Sequence, residues 1–230
     1  FHGLKLQEDG ALRMTSPVMS SCCLGRGGVP GGGVTAEQYL GLDRLADEAG
    51  DGTLRITSRQ GVQYHYVGKT NLARLIKSIN DTGLNTWAAC GDVVRNVTAC
   101  SAPLAGAGRG DLDAMVRELR RALQPASRAY AEIWLDGEKA ATLESPSEPE
   151  EEPLYGATYL PRKFKIGFAF EGENTTDIYS NDLGFVAHYA GGVLEGFTVL
   201  AGGGMGKSNW VKCSNPRRAD PECFLKQDEL

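Results

Sequence analysis

Residues 55–65 read RITSRQGVQYH, and this stretch decides the expected fold at the front of the chain. Between Thr53 and Tyr66 polar and apolar residues alternate, and many are β-branched or aromatic, which predicts one continuous β-strand. Successive side chains of a strand point to opposite faces. One face would be apolar, and the other would carry Arg55, Thr57, Arg59, Gln63 and His65.

The polar face of this strand allows two interpretations. Polar faces of antiparallel strands often lie in water, which would make it an ordinary surface. Alternatively, its arginines and uncharged donors, with no acidic residue among them, suit a ligand that carries several carboxylates. We favour a polyanionic ligand because both arginines would project from the same side.

A second basic segment, YLPRKFK, spans residues 159–165. Strand alternation would bring Lys163 and Lys165 to one side, where their ammonium groups repel unless an anion lies between them. The other interpretation is a basic edge strand in water. Arg26, in the glycine-rich loop of residues 25–34, and Arg95 are further cations that such an anion site could use.

The remaining patterns predict three helices and several strands. The first helix follows the N-cap Thr35 and ends at Gly50, and the third is capped by Asp111 and ends before Pro125. The second helix carries Leu72, Leu75, Ile76 and Ile79 and ends near Gly83. Strands are predicted at residues 129–135, 138–142, 164–170, 185–188 and 193–200. This mixture indicates an α+β fold with a boundary near Trp87.

Composition narrows the class of protein. A net charge of −5 and a pI near 5.3 argue against a nucleic-acid partner. No apolar run approaches the roughly 18 residues of a membrane span, so no membrane association is expected. The six cysteines contain no Cys-x-x-Cys pair, and we expect reduced thiols in an intracellular protein. The acidic run at residues 144–153 is expected to be a solvated loop.

Several ordered motifs carry a family resemblance. These are TSRQ at 57–60, AACGD at 88–92, RNV at 95–97 and AYAEIWLD at 129–136, with further matches at 159–165, 182–185 and 202–206. Together they resemble the N-terminal half of the assimilatory sulfite reductase haemoprotein, in the sirohaem-dependent nitrite and sulfite reductase family. Residues 152–156 and the segment at Asp182 look more like the ferredoxin-dependent branch.

The resemblance implies a fold with two parts. After an N-terminal extension at 1–24, a ferredoxin-like half-domain would span 25–87 and a truncated, mixed α/β sirohaem-binding domain would span 88–230. These parts would form half of a duplicated fold. The chain begins at Phe1 rather than Met, so we also expect that an N-terminal piece precedes it.

The resemblance also implies an activity, the six-electron reduction of sulfite to sulfide at sirohaem coupled to a four-iron, 4Fe-4S cluster. The residues that match those that bind the sirohaem carboxylates are Arg55, Thr57, Arg59, Gln63 and His65. Those that match the sulfite-binding cations are Arg26, Arg95, Lys163 and Lys165. Ferredoxin would donate the electrons, in the cytoplasm or the plastid stroma.

The sequence departs from the family at its cysteines. The family holds its cluster with Cys-x5-Cys and Cys-x3-Cys motifs in its second half, and neither spacing occurs here. We therefore expect no metal ligand in this chain and no activity from it alone, and we expect the missing C-terminal half or another subunit as partner. Two alternatives stay open: a half-length, non-catalytic structural or interaction subunit, and a nitrite reductase of the same superfamily.

Overall fold

The computed structural model describes residues 5–7, 22–102, 108–126, 132–135, 138–142, 152–206 and 214–229. The start of the strand predicted at 129–135 and most of the acidic run at 144–153 lie outside these residues. Among the described residues, no helix combines the length and the apolar character needed to cross a membrane.

The elements confirm an α+β protein. Its strands are β1 (Lys5–Gln7), β2 (Cys22–Gly27), β3 (Leu54–Ile56), β4 (Val62–Gly68), β5 (Glu132–Leu135), β6 (Glu138–Thr142), β7 (Ile166–Phe170), β8 (Leu183–Ala190), β9 (Val193–Ala201) and β10 (Asp220–Lys226). Its helices are α1 (Ala36–Ala49), α2 (Leu72–Asp81) and α3 (Arg109–Ala122).

The chain forms two compact units, and each is discontinuous in sequence. Unit 1 comprises residues 1–29, 34–93 and 124–163, and unit 2 comprises residues 30–33, 94–123 and 164–230. The linear domain boundaries expected at residues 24 and 87 stay a prediction.

Unit 1 contains an antiparallel sheet with the strand order β1-β2-β4-β3. One face of β4 packs Val62, Tyr64 and Val67 into a core with apolar residues of α1 and α2. The Tyr64 hydroxyl donates a hydrogen bond to the carbonyl oxygen of Leu42 at 3.1 Å. That partner satisfies the one polar atom of a fully buried ring. The opposite face of the sheet is left for polar residues.

The single strand predicted from Thr53 to Tyr66 is wrong, because this stretch is a hairpin. β3 ends at Ile56, residues 57–61 form a turn, and β4 begins at Val62. The Thr57 N–H donates to the Gly61 carbonyl at 2.8 Å, which closes the turn. The division into faces survives, since Arg55 lies opposite Gln63 and Ile56 lies opposite Val62.

The first two helices confirm their sequence signals. Thr35 caps α1 and accepts a hydrogen bond from the Gln38 N–H at 3.1 Å, while the Gln38 side chain accepts from the Thr35 N–H at 2.9 Å. Gly50 is the C-cap of α1. The buried residues of α2 are the four that were predicted, namely Leu72, Leu75, Ile76 and Ile79.

Two expectations about local structure are wrong. Gly108, not Asp111, occupies the N-cap position of α3, and Asp111 lies in the first turn of that helix. Glu152, expected in a solvated acidic loop, is buried. Its carboxylate accepts hydrogen bonds from the main-chain N–H groups of Ala126 and Leu154, at 2.9 Å and 3.1 Å. These donors offset the cost of burying the charge.

Unit 2 contains a sheet with the order β10-β9-β8-β7, in which β7 and β8 are parallel. A turn at Gly191 and Gly192, both with positive φ, joins β8 to β9. The rings of Phe168, Phe185 and Phe197 form the centre of one face, with centroids 4.8 Å to 6.0 Å apart. β10 was not predicted, because Asp220–Lys226 contains a proline and is mostly exposed.

Candidate functional site

The hairpin aligns three of the predicted site residues on neighbouring strands of unit 1. Arg26 on β2 lies opposite Gln63 on β4, and Gln63 lies opposite Arg55 on β3. Residues directly opposite each other share a face of the sheet. We call Arg26, Gln63 and Arg55 the cross-strand row. The row places two guanidinium groups on either side of an amide, an arrangement of hydrogen-bond donors suited to several anionic oxygens.

His65 extends this row along β4. Its Nε2 atom lies 3.3 Å from the Gln63 Oε1. Burial, assisted by the positive charges of Arg55 and Arg26, holds the pKa of His65 below its usual value of 6.5, although Asp51 acts in the opposite direction. The effect of both arginines on one imidazole indicates a shared positive field. His65 is therefore a neutral donor or acceptor at physiological pH.

One acidic residue near the cross-strand row, Asp51, was not identified by the sequence analysis. Asp51 lies 3.9 Å from Arg55, in an ion pair whose arginine side chain is half exposed. Hydrogen bonds from Thr53 lower the pKa of Asp51 despite some desolvation, and Arg55 contributes to the same shift. An exposed pair of this length contributes little stability. Arg55 therefore remains able to bind an additional anion.

Within the described part of the chain, the Arg26 side chain has one hydrogen bond and further N–H donors that could bind a ligand. Its Nη1 donates to the sulfur of Cys90 at 3.5 Å. Its Nε is buried and has no hydrogen-bond partner among the described residues. Buried donors are nearly always satisfied in native proteins, so this Nε is available to a bound ligand or a water molecule.

Thr57 and Arg59 lie in the turn rather than on a strand. The Thr57 hydroxyl oxygen accepts from the N–H groups of Arg59 and Gly61, at 3.3 Å and 3.1 Å. Thr57 thus shapes the turn, while its hydroxyl proton can still be donated. Arg59 is partly buried in the same turn.

The other predicted cations are divided between the units. In unit 2, Val94 and Phe164 form a parallel bridge, so Arg95 and Lys165 occupy corresponding positions on neighbouring segments. Lys163 belongs to unit 1 and is exposed. It lies outside a strand, because β7 begins only at Ile166. Strand alternation therefore no longer supports the prediction that Lys163 and Lys165 lie on the same side. Convergence of all four cations stays a prediction.

Two family models match this chain. Residues 116–229 match the nitrite and sulphite reductase 4Fe-4S domain, and residues 23–81 match the nitrite/sulfite reductase ferredoxin-like half domain. This chain belongs to the nitrite and sulfite reductase family. The family and the ferredoxin-like element predicted from the sequence are confirmed.

Curated relatives extend the match to the whole chain. A protein of Anoxybacillus flavithermus is 42% identical over 236 residues, covering 100% of this chain and 40% of the relative. A protein of Geobacillus kaustophilus is 41% identical over 236 residues, covering 100% of this chain and 41% of the relative. Both are named sulfite reductase [NADPH] hemoprotein beta-component. The chain thus spans about two fifths of their length, and their names do not support the ferredoxin-dependent branch.

Two solved structures share the fold. The NirA protein of Mycobacterium tuberculosis aligns over 99% of this chain and 36% of its own, with a TM-score of 0.66 and 22% identity. Dissimilatory sulfite reductase I aligns over 97% of this chain and 62% of its own, with a TM-score of 0.62 and 11% identity. The predicted fold class, half of the nitrite and sulfite reductase fold, is confirmed.

The residues of unit 1 fit sirohaem, a tetrapyrrole that carries many carboxylates. The cross-strand row supplies cationic and amide donors on one face, and the buried Arg26 Nε has no acceptor among the residues that the structure describes. The described residues offer no comparable fit to a 4Fe-4S cluster. Within the described part of the chain, no group of three or more His, Cys, Asp or Glu side chains could hold a metal ion.

Proposed function

We propose that this chain supplies the sirohaem-carboxylate-binding and sulfite-binding residues of a sulfite reductase, which reduces sulfite to sulfide with six electrons. The observation that carries the proposal is the cross-strand row with His65 beside it, which concentrates donors on one sheet face. Membership of the family supports the same assignment.

In this proposal, Arg55, Gln63 and His65 bind carboxylates of the macrocycle from the strands, while Thr57 and Arg59 bind them from the turn. Arginine contributes planar, paired N–H groups that match the geometry of a carboxylate. The amide of Gln63 and the neutral imidazole add directional hydrogen bonds without further charge repulsion. These residues orient the macrocycle, and the bound sirohaem supplies the iron and the electron transfer.

Arg26, Arg95, Lys163 and Lys165 bind the sulfite oxygens in this proposal. Their positive charges favour the anion and stabilise the negative charge that develops on oxygen as each S–O bond breaks. The lysine ammonium groups also carry protons that the departing oxygens need. The cysteines of the four-iron cluster come from a polypeptide segment other than this one.

We propose NADPH, rather than ferredoxin, as the source of the electrons. The relatives that match the whole chain are named NADPH sulfite reductases, and the term beta-component implies at least one other component. This replaces the donor expected from the sequence. Supplying reduced ferredoxin and NADPH with its partner component in parallel assays distinguishes the two donors.

The sirohaem content of holoenzyme variants tests the proposal. We expect Arg55→Ala and Gln63→Ala to lower the visible absorbance of sirohaem per protein, because each removes a carboxylate donor. Arg74→Ala is the matched control, since Arg74 is an exposed arginine of unit 1 whose partner is Glu48. Sirohaem contents equal to the control in both variants would contradict the proposed carboxylate site.

Steady-state kinetics test the substrate. The family description includes nitrite as well as sulfite, so both anions are compared at the same electron supply. A higher kcat/KM for sulfite is expected. A preference for nitrite would assign the chain to a nitrite reductase, and absence of turnover with either anion in the complete enzyme would indicate a non-catalytic subunit.

A further inference from the structure

We propose that Asp182 is a positioning residue, which fixes Lys165 and the adjoining Arg95 segment for sulfite binding. This inference rests on the proposed function, because it concerns the same anion site. It adds a residue that does not touch the substrate but determines where two cations of unit 2 lie.

Lys165 is held at three points by one short segment, residues 180–183. The Asp182 Oδ2 accepts the main-chain N–H of Lys165 at 2.8 Å. The Lys165 carbonyl accepts the N–H of Leu183 at 3.1 Å. The Nζ of Lys165 donates to the Ser180 carbonyl at 2.8 Å. Both main-chain polar groups and the ammonium of one lysine are thus oriented by the same segment.

The segment that holds Lys165 is itself fixed. Asn181 is fully buried, and its Nδ2 donates to the carbonyls of Asp177 and Ile178. The Asp182 carbonyl accepts the N–H of Gly202 at 3.0 Å. A Cβ at Gly203 would lie 2.3 Å from the Asn181 carbonyl oxygen, so the backbone approaches more closely than any side chain would permit. The support behind Asp182 is therefore rigid.

The same contacts reach Arg95 through the main chain. Phe164, which directly precedes Lys165, accepts the N–H of Arg95 at 2.8 Å. A shift of the Lys165 backbone would therefore move the backbone of Arg95 as well. The Ser180 carbonyl orients the Lys165 ammonium but does not neutralise its positive charge, because a carbonyl carries no net charge. The carboxylate of Asp182 instead accepts the main-chain N–H of Lys165, and hydrogen bonds to a charged acceptor are the stronger type.

Sulfite kinetics of the holoenzyme test this role. We expect Asp182→Ala to raise the KM for sulfite by on the order of tenfold, since a hydrogen bond to a charged acceptor is lost. Asp182→Asn keeps an acceptor oxygen and should restore most of the affinity. Asp220→Ala is the matched control, because Asp220 is a half-exposed acid of unit 2 paired with Arg217. An unchanged KM in Asp182→Ala would overturn the inference.

A double-mutant cycle with Lys165→Ala separates positioning from general damage. If Asp182 acts through the Lys165 segment, the two substitutions together should raise the KM by much less than the product of their separate effects. Fully multiplicative effects would overturn the inference. If Lys165→Ala alone leaves the sulfite kinetics unchanged, the role of Lys165 in the proposed function fails instead.

Amide hydrogen exchange gives a readout that does not depend on turnover. Asp182→Ala should speed exchange at the Lys165 N–H, and Asp220→Ala should not. Where Asp182→Ala does not fold, Asp182→Glu replaces it in both measurements, since it keeps the carboxylate but moves it by one methylene. Unchanged exchange and KM in Asp182→Glu would then contradict the positioning role.

Discussion

The pKa of His65 depends on the charged residues around it in the candidate site. Burial is the main cause of its lowered pKa, and Arg55 and Arg26 add to it. Because the folded state disfavours the imidazolium, His65 supports folding fully above about pH 6.5, and this contribution is lost as the pH falls below that value. The residue thus links the stability of the sheet to the positive charge around it.

Replacing Arg55 by Gln should raise the pKa of His65. The substitution removes a repulsive positive charge and leaves Asp51, which favours the imidazolium. NMR titration of the imidazole resonances measures the shift. Arg74 forms an ion pair with Glu48, so Arg74→Gln should leave the His65 titration unchanged. A His65 pKa that is the same in both variants would mean that Arg55 does not act on the imidazole.

Thr57 has a structural task in addition to its proposed role toward the cofactor. Thr57→Ala should lower the free energy of unfolding by about 1–2 kcal/mol, because two main-chain donors lose their acceptor. Thr57→Ser keeps the hydroxyl and should remain close to the unaltered protein. Denaturant unfolding of the two variants checks the difference, and equal midpoints would contradict this role.

The sequence predicted which side chains share a sheet face more reliably than it predicted the surroundings of that face. Side-chain chemistry and alternation selected Arg55, Gln63 and His65, which the hairpin brings together with Arg26. Asp51 was missed, although it precedes Arg55 by only four residues, because the alternating stretch that drew attention begins after it, at Thr53. Glu152 was misjudged because one of its two main-chain donors, Ala126, is distant in sequence.

At the scale of elements, the hairpin explains how a wrong prediction gave correct faces. The turn between Ile56 and Val62 holds five residues, an odd number, so odd positions of β3 lie opposite odd positions of β4. The alternation therefore continues through the turn as though the strand were unbroken. Periodicity alone cannot separate these cases. The helices were easier, because caps and apolar stripes are local signals.

The capping box of α1 allows a direct test at this scale. Thr35→Ala should reduce the free energy of unfolding by about 1 kcal/mol, since the Gln38 N–H loses its acceptor. Thr35→Ser retains the oxygen and serves as the control. Thermal or denaturant unfolding measures the difference, and equal free energies of unfolding for the two variants would argue against a stabilising cap.

At the scale of the whole molecule, the chain passes between the two units five times, after residues 29, 33, 93, 123 and 163. Pro30–Gly33 belongs to unit 2, where the Gly31 N–H donates to the Val97 carbonyl at 3.0 Å. Sequence motifs have no means of assigning these four residues to a unit whose other residues are distant in sequence.

A fragment of residues 88–230 should therefore fold poorly. It lacks the Pro30–Gly33 segment of unit 2, and its residues 124–163 are separated from the rest of unit 1. We expect a narrow spread of amide proton resonances and no cooperative thermal transition, in contrast to the full chain. A well-dispersed spectrum from this fragment would show that the predicted boundary near residue 87 separates an independent domain.

The interleaved path also bears on how the protein is made. During translation, β2 leaves the ribosome before β4, its central partner, and residues 30–33 emerge long before the 164–230 portion of their unit. Neither unit is complete before residue 163 of this chain has been synthesised. Nascent chains therefore present uncovered apolar segments for much of their elongation, and we expect them to be clients of chaperones that act at the ribosome exit.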